Sequence, residues 1–435
     1  MLFRYTIARM KLLATILVTC GALLGQSPNP AAAVPRMEEA LRKSIVDFWY
    51  PKSIDKAHGG YTIRFNADGS WKGDGPKMIV TQARHVWMFS RLARAGYGDR
   101  AAMLAAADHG YRFLTTKMWD AANGGFYWEV DAAGNKTKAK KHLYGQAFAL
   151  YAISEYAMAS GRKDVLDFAV RFFELLERRS HDAAHGGYIE YFNEDWSEPS
   201  AVEPSYMSTP TGLKLMNTHL HLMEAMTTFY RATNLPLAKE RLLELMTIES
   251  NSVVRKDITA CTDRYQRDWT PVLEGLAARV SYGHDLENIW LLVDAAQAAN
   301  VPVSPYMDLF RANFAYSLKY GWDEKDGGFW YHGSFRQPAA GRSKSWWVQS
   351  EALVSALTMY RLTKDPQYWR VFERTWAFID QHQIDWKNGE WWESVSDQLV
   401  QSGDKGSAWK AGYHNGRAMI ESIALLKGMA GGSGR

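Results

Sequence analysis

A Gly-Gly-aromatic turn recurs along this 435-residue chain at Gly59-Gly60-Tyr61, Gly124-Gly125-Phe126, Gly186-Gly187-Tyr188 and Gly327-Gly328-Phe329. A degenerate version stands at Asn388-Gly389-Glu390-Trp391. The first three returns are about 60 to 65 residues apart, and the gap before Gly327 is about twice that, which leaves room for an eroded copy near Cys261 to Trp269. Six copies account for most of the chain. The repeat, rather than the length, therefore decides the domain count.

Each copy reads as two helices. Apolar residues recur at three-and-four spacing over 15 to 20 residues, and Gly, Pro, Asn or Asp clusters punctuate the joints. The pattern predicts helices near 37–54, 81–96, 100–118, 143–159, 163–180, 212–233, 237–253, 281–299, 305–320, 344–363, 366–383 and 413–429. Short β-like pieces, 61–65 and 126–130, fit hairpins in the loops at one end. Twelve helices in six hairpins imply an all-α closed double ring, an (α/α)6 barrel, with inner helices lining a central cavity. The inner helices open with residues that an ordinary core would not choose: Arg84, Tyr144, Asn217 with His221, His284 with Glu287, Trp347 with Glu351, and His414.

Composition fits one enzyme-sized domain over 34–430, since 47% of residues are hydrophobic and no low-complexity linker divides the chain. Residues 1–33 read as a secretory leader: Arg9 to Lys11, an apolar run from Leu12 to Leu24, then Ala31-Ala32-Ala33. The run is short for a membrane span. An exported protein, periplasmic or secreted, is expected, or a cytoplasmic one if the leader does not function. The formal charge is +4, and the leader holds Arg4, Arg9 and Lys11 and no acidic residue, so the remainder is near neutral. That argues against nucleic acid or an acidic membrane as partner. Cys20 falls in the leader and leaves Cys261 alone, so no internal disulfide can form. Oligomeric state is not legible.

Helical geometry pairs the polar residues. At about 100° per residue, His284 and Glu287 share a face, as do Asn217 and His221, and Trp347 and Glu351. Glu287 is thereby expected to hold the imidazole of His284 and raise its basicity. His219 and His221 are about 200° apart and cannot grip one ion, so His221 is read as inward and His219 as structural. No HExxH or paired cysteines are present, so no metal is expected, and the lack of GxGxxG or a P-loop argues against a nucleotide cofactor. Without Gly-x-Ser-x-Gly an elbow-type hydrolase is disfavoured, and Cys261 reads as filler. Trp128, Trp330, Tyr331, Trp346, Trp347, Trp391, Trp392 and Trp409 fall in loops or at helix starts on one rim, half of them expected only to pack. Aromatic faces with Arg, Asn, Glu and His suit a small-molecule carbohydrate.

The segments TQARHVW (81–87), LYGQAFALY (143–151), NTHLHLMEA (217–225), YGHDLENIWLL (282–292), WWVQSEAL (346–353) and YHNGRAMIE (413–421) together resemble the N-acylglucosamine 2-epimerase superfamily. Within it they are most similar to the cellobiose 2-epimerases, and Asp-Leu-Glu-Asn after His284 leans that way. The resemblance implies an (α/α)6 barrel and cofactor-independent epimerisation at C2 of the reducing-end sugar of a β-1,4-linked disaccharide. It implies that His284 and His414 exchange the C2 proton, with Glu287 orienting His284. Arg84, Tyr144, Asn217 and His221 would bind the reacting sugar, Trp347 and Trp409 would stack on it, and Glu351 would assist ring opening or bind a hydroxyl. Aldose–ketose isomerisation or epimerisation of a monosaccharide, mannose or N-acetylglucosamine, is the nearest alternative. A glycoside hydrolase using two of Glu224, Glu287, Glu351 and Glu421 is a further one, and a sugar-binding protein another.

Overall fold

The computed structural model describes residues 28–432, the side chain of Leu276 apart. Most of the leader expected over 1–33 lies outside the described residues. Twelve helices follow in the predicted order. The first, α1, runs from Val34–Ala40 through the wider turns of Leu41–Val46 into Asp47–Trp49. Then come α2 Ile79–Ala95, α3 Arg100–Phe113, α4 Leu143–Ser160, α5 Lys163–Ser180, α6 Met216–Thr233 and α7 Pro236–Thr247. The last five are α8 Tyr282–Ala299, α9 Met307–Gly321, α10 Trp346–Thr363, α11 Pro366–Phe378 and α12 His414–Ala430.

The even-numbered helices form the inner ring. Each packs on the next, and α12 returns to α2, so the ring closes. Their composition demands this place. Helix α4 is buried from Leu143 through Ala157, so it has no polar face to offer water. The outer helices are one-sided: α5 buries Val165, Ala169, Phe172, Phe173 and Leu176, a single stripe at helical spacing. Inner helices stop at left-handed residues, Gly96, Gly161, Asn234, Asn300 and Lys364, which turn the chain sharply into the outer helix.

The repeated turn has a repeated clamp. The fourth residue of an inner helix, Gln82, Gln146 or Gln349, accepts the backbone N–H of the turn aromatic and donates to its carbonyl. His219 does part of this work on Tyr188. In the eroded copy, Asp285 accepts from the N–H of Cys261, so this cysteine stands where the other copies put an aromatic. The turn also opens with an aspartate that a buried lysine reaches from the strand or loop before an inner helix. The pairs are Lys77–Asp55, Lys141–Asp120, Lys214–Asp182, Lys344–Asp323 and Lys405–Asp385.

Short antiparallel strands form a belt at the same end. Lys77–Met78 pairs with Glu129–Val130, Lys141–His142 with Tyr191–Phe192, Lys214–Leu215 with Arg264–Tyr265, and Arg279–Ser281 with His332–Ser334. The strands before α2, α4, α6 and α8 thus tie one copy to the next. The hairpin expected at 126–130 forms as Glu129–Val130 against Lys136–Lys138. That expected at 61–65 is reduced to isolated bridges, Ile54 to Tyr61 and Phe65 to both Trp71 and Gly406.

Candidate active site

All six inner helices start at the strand-belt end, so their first turns surround one opening. A cavity of about 600 Å³ opens there, lined by Arg84, Tyr144, Asn217, His221, His284, Tyr331, Trp346, Trp347, Trp409 and His414, among others. Eight of the ten site residues expected from sequence line it. Glu287 and Glu351 do not; they are fully buried beneath it.

Trp347 stands between the two histidines expected to act on the substrate. Its ring centroid is 4.8 Å from that of His284 and 5.7 Å from that of His414. Gly283 makes this approach possible, since a Cβ there would lie 2.5 Å from the Trp347 ring. Opposite, the Arg84 guanidinium lies over Phe148 and Tyr413 and donates to the Tyr144 hydroxyl at 3.2 Å and to the Trp409 carbonyl at 3.0 Å. The buried Asn217 Oδ1 has no hydrogen-bond partner. Trp409 and Tyr331 are each 41% exposed at the rim, while Trp330 and Trp391 are core.

Beneath the cavity floor lies the feature that sequence reading missed. Arg417, one turn after His414, donates to Glu287 at 2.5 Å, to Glu351 at 2.8 Å and to Glu224. One guanidinium thus ties together three buried carboxylates, each reaching in from a different helix. Glu351 accepts from His414 Nδ1 at 2.6 Å and from Trp290 Nε1 at 2.9 Å. Glu224 meets His221 Nδ1 at 3.0 Å and accepts from the Tyr413 hydroxyl at 2.6 Å. His221 and His414 are therefore held from behind by carboxylates that share one arginine. His414 at three residues' separation put Arg417 on its face, but nothing in the sequence said that three glutamates would meet there.

This corrects one expectation. Glu287 does not hold His284; it turns down to Arg417, and its second oxygen has no partner. His284 is positioned by ring packing against Trp347, and it is His414 that has a carboxylate behind it, that of Glu351. Glu351 likewise lies under the cavity rather than on its wall. His219 is clamped between the Leu215 carbonyl and the Tyr188 N–H, and His221 faces the cavity.

Burial dominates the titrations. It holds His414 well below the ordinary histidine value, with the nearby Arg84 and Arg417 charges adding to the effect, and it depresses His284 in the same direction. A neutral His414 that donates Nδ1–H to Glu351 keeps Nε2 as a free lone pair. Burial and then the Glu351 charge push Glu287 up to about 7 against the pull of Arg417. For Glu224 burial acts upward too, but Arg417, His221 and Tyr413 outweigh it and hold the carboxyl at about 2. Glu287, Glu351 and His414 bring ligand atoms within 4.8 Å of one another, a spacing a metal ion could use. Arg417 already occupies the carboxylates of that group with its own positive charge, so the donor set fits a cation poorly.

Among the described residues, a closed ring of twelve helices with a histidine-lined pocket at the inner-helix N-termini defines an (α/α)6 barrel. The chain belongs to the N-acylglucosamine 2-epimerase (GlcNAc 2-epimerase) family, whose model matches residues 59–418. It is 29% identical to a cellobiose 2-epimerase of Bacteroides fragilis over 89% of this chain and 97% of the relative. The solved structure of the cellobiose 2-epimerase from Spirochaeta thermophila superposes with a TM-score of 0.81 at 32% identity, covering 92% of this chain and 100% of that one. A D-mannose isomerase of Marinomonas mediterranea is 25% identical over 89% of this chain and 96% of the relative.

Proposed function

We propose that this protein is a carbohydrate 2-epimerase that inverts C2 of the reducing-end sugar of a β-1,4-linked disaccharide of the cellobiose type. The observation that carries the reading is the pair of histidines, His284 and His414, packed against Trp347 in one cavity. The similarity to cellobiose 2-epimerases over nearly the whole chain supports the substrate class. The reaction would need no cofactor and would be carried by one domain, residues 34–430, exported behind the leader at 1–33.

The C2 hydrogen of a closed sugar is not acidic, so the ring must open first. The C1 hydroxyl gives up its proton, the ring oxygen takes one, and an aldehyde forms. One histidine then removes the C2 proton while the C1 carbonyl takes up the charge as an enediolate. Arg84 and the converging N-terminal ends of six helices favour negative charge at this end of the barrel. The other histidine returns a proton to the opposite face of C2, and the ring recloses with the glycosidic bond intact. Acid and base exchange roles with the direction of reaction. Glu351 stabilises the imidazolium of His414 as it forms, and the side chains of Asn217 and Tyr144 are available to sugar hydroxyls.

A hydrolytic reading is disfavoured by the same geometry. Glu224, Glu287 and Glu351 are tied to Arg417 below the floor, and Glu421 lines a different cavity, so Glu393 is the one carboxylate among the lining residues and the two-carboxylate mechanism lacks its pair. Isomerisation at C1 and C2, as in the D-mannose isomerase relative, uses the same enediolate and would be the minor outcome. The test is incubation of the purified protein with cellobiose, mannobiose, mannose and N-acetylglucosamine in heavy water, followed by proton NMR. Appearance of a disaccharide C2 epimer with deuterium at C2 is expected. Splitting of the disaccharide, or exchange with monosaccharides alone, would sink the assignment.

A further inference from the structure

We propose that the barrel carries a second ligand site at its other mouth, a cavity of about 650 Å³ that takes a small oxyanion, a phosphate or a carboxylate, on Arg361. The cavity is walled by the C-terminal halves of the inner helices and shares no lining residue with the catalytic one. The two are separated by the layer of Glu224 and Arg417, which is the floor of the first and the roof of the second.

The charge on its wall is unbalanced in one place. Three arginines have carboxylate partners: Arg91 with Glu421 at 2.7 Å, Arg94 with Glu155 at 2.6 Å and Arg231 with Asp294 at 2.7 Å. The Arg361 side chain has no hydrogen bond and no ion pair among the described residues, and the Lys364 side chain, three residues on, has no ion pair either. The helix macrodipole accounts for cations in the last turns of α2, α6 and α10, and Arg94, Arg231 and Arg361 all sit there. It does not account for the difference between them. A guanidinium lining a concave wall, drawn partly out of water and given no acceptor, is where a bidentate oxyanion gains most. Burial lowers the Arg361 pKa, and only the charge of Asp294, already taken by Arg231, opposes this. The hydroxyls of Thr228 and Thr358 and the amide of Gln297 line the same cavity and can add donors.

The roof gives such a ligand a route to the chemistry. Arg417 holds Glu351, and Glu224 holds His221, so an anion drawn in below Arg417 would alter the charge felt by the groups behind His221 and His414. Binding itself is independent of the proposed reaction and is measured without it.

The experiment is isothermal titration and thermal unfolding of the whole protein with inorganic phosphate and, separately, citrate, at constant ionic strength. Saturable binding of one anion per chain with a raised Tm is expected, and the arm that binds more tightly identifies the phosphate or carboxylate source. Arg361→Gln, which keeps most of the side-chain stem, should weaken binding at least tenfold, and Arg361→Ala should do the same. Arg84→Ala in the catalytic cavity should leave it unchanged. The proposal is overturned if neither anion binds saturably, if both Arg361 variants bind as the parent does, or if Arg84→Ala abolishes binding.

Discussion

The proposed chemistry turns on which group stands behind which imidazole. His414 has Glu351 at 2.6 Å, and His284 has an indole. Substituting His414→Asn removes one of the two proposed acid–base groups while keeping a polar side chain of similar reach, and C2 deuterium exchange by NMR should fall by roughly 10²–10⁴-fold with sugar binding retained. Glu351→Gln leaves His414 in place without its countercharge; kcat should fall, roughly ten- to a hundredfold as for other groups that support a histidine from behind, with KM little changed. Steady-state kinetics on the same disaccharide checks this. Arg417 is a different case. Removing it as Arg417→Met leaves Glu224, Glu287 and Glu351 buried without their shared cation, a loss of about 3–5 kcal/mol or more. Denaturant unfolding should show it as a large drop in midpoint. The imidazoles were visible in sequence because each opens a helix that is otherwise apolar. Arg417 was not, because its role exists only where α6, α8, α10 and α12 converge.

At the scale of the element, the repeated clamp makes a prediction of its own. Gln82, Gln146 and Gln349 hold their turns with an amide that cannot titrate, whereas His219 holds Tyr188 with a ring nitrogen. Burial pushes His219 down to about 3, His142 to about 3 and His85 to about 4. Below the ordinary histidine value of about 6.5 the unfolded chain takes up protons that the folded chain refuses, so stability falls as pH drops from about 6.5 towards 4. Each such group contributes up to about 1.4 kcal/mol per pH unit in that window. His219→Gln installs the residue used at the equivalent place in three other copies. It should preserve the turn and flatten the decline of Tm with acid, read by calorimetry from pH 7 to 4.5. The buried pair Lys141–Asp120 is the belt's counterpart. The Gly-Gly-aromatic spacing disclosed the turns. The aspartates and lysines passed unnoticed because a lysine reads as surface until its partner is known.

The whole molecule is a closed ring, and closure joins its ends. Helix α12 packs on α2 and α10, and α1 packs on α12, so the last helix completes both the wall and the site. Ending the chain after Tyr413 should therefore abolish cooperative unfolding, seen by circular dichroism on heating, as well as the proposed activity. No helix of the described residues is long and apolar enough to cross a membrane. By itself the sequence determined the period, the helix count, the barrel and most of the residues that line the cavity, because helical periodicity and turn chemistry are local and repeat six times. Only the tertiary structure decided that Glu287 faces Arg417 and that Glu351 supports His414. It alone showed that one layer of charge divides two cavities. These follow from which helices meet across the barrel axis, and a side chain's face on its own helix does not specify its neighbour there.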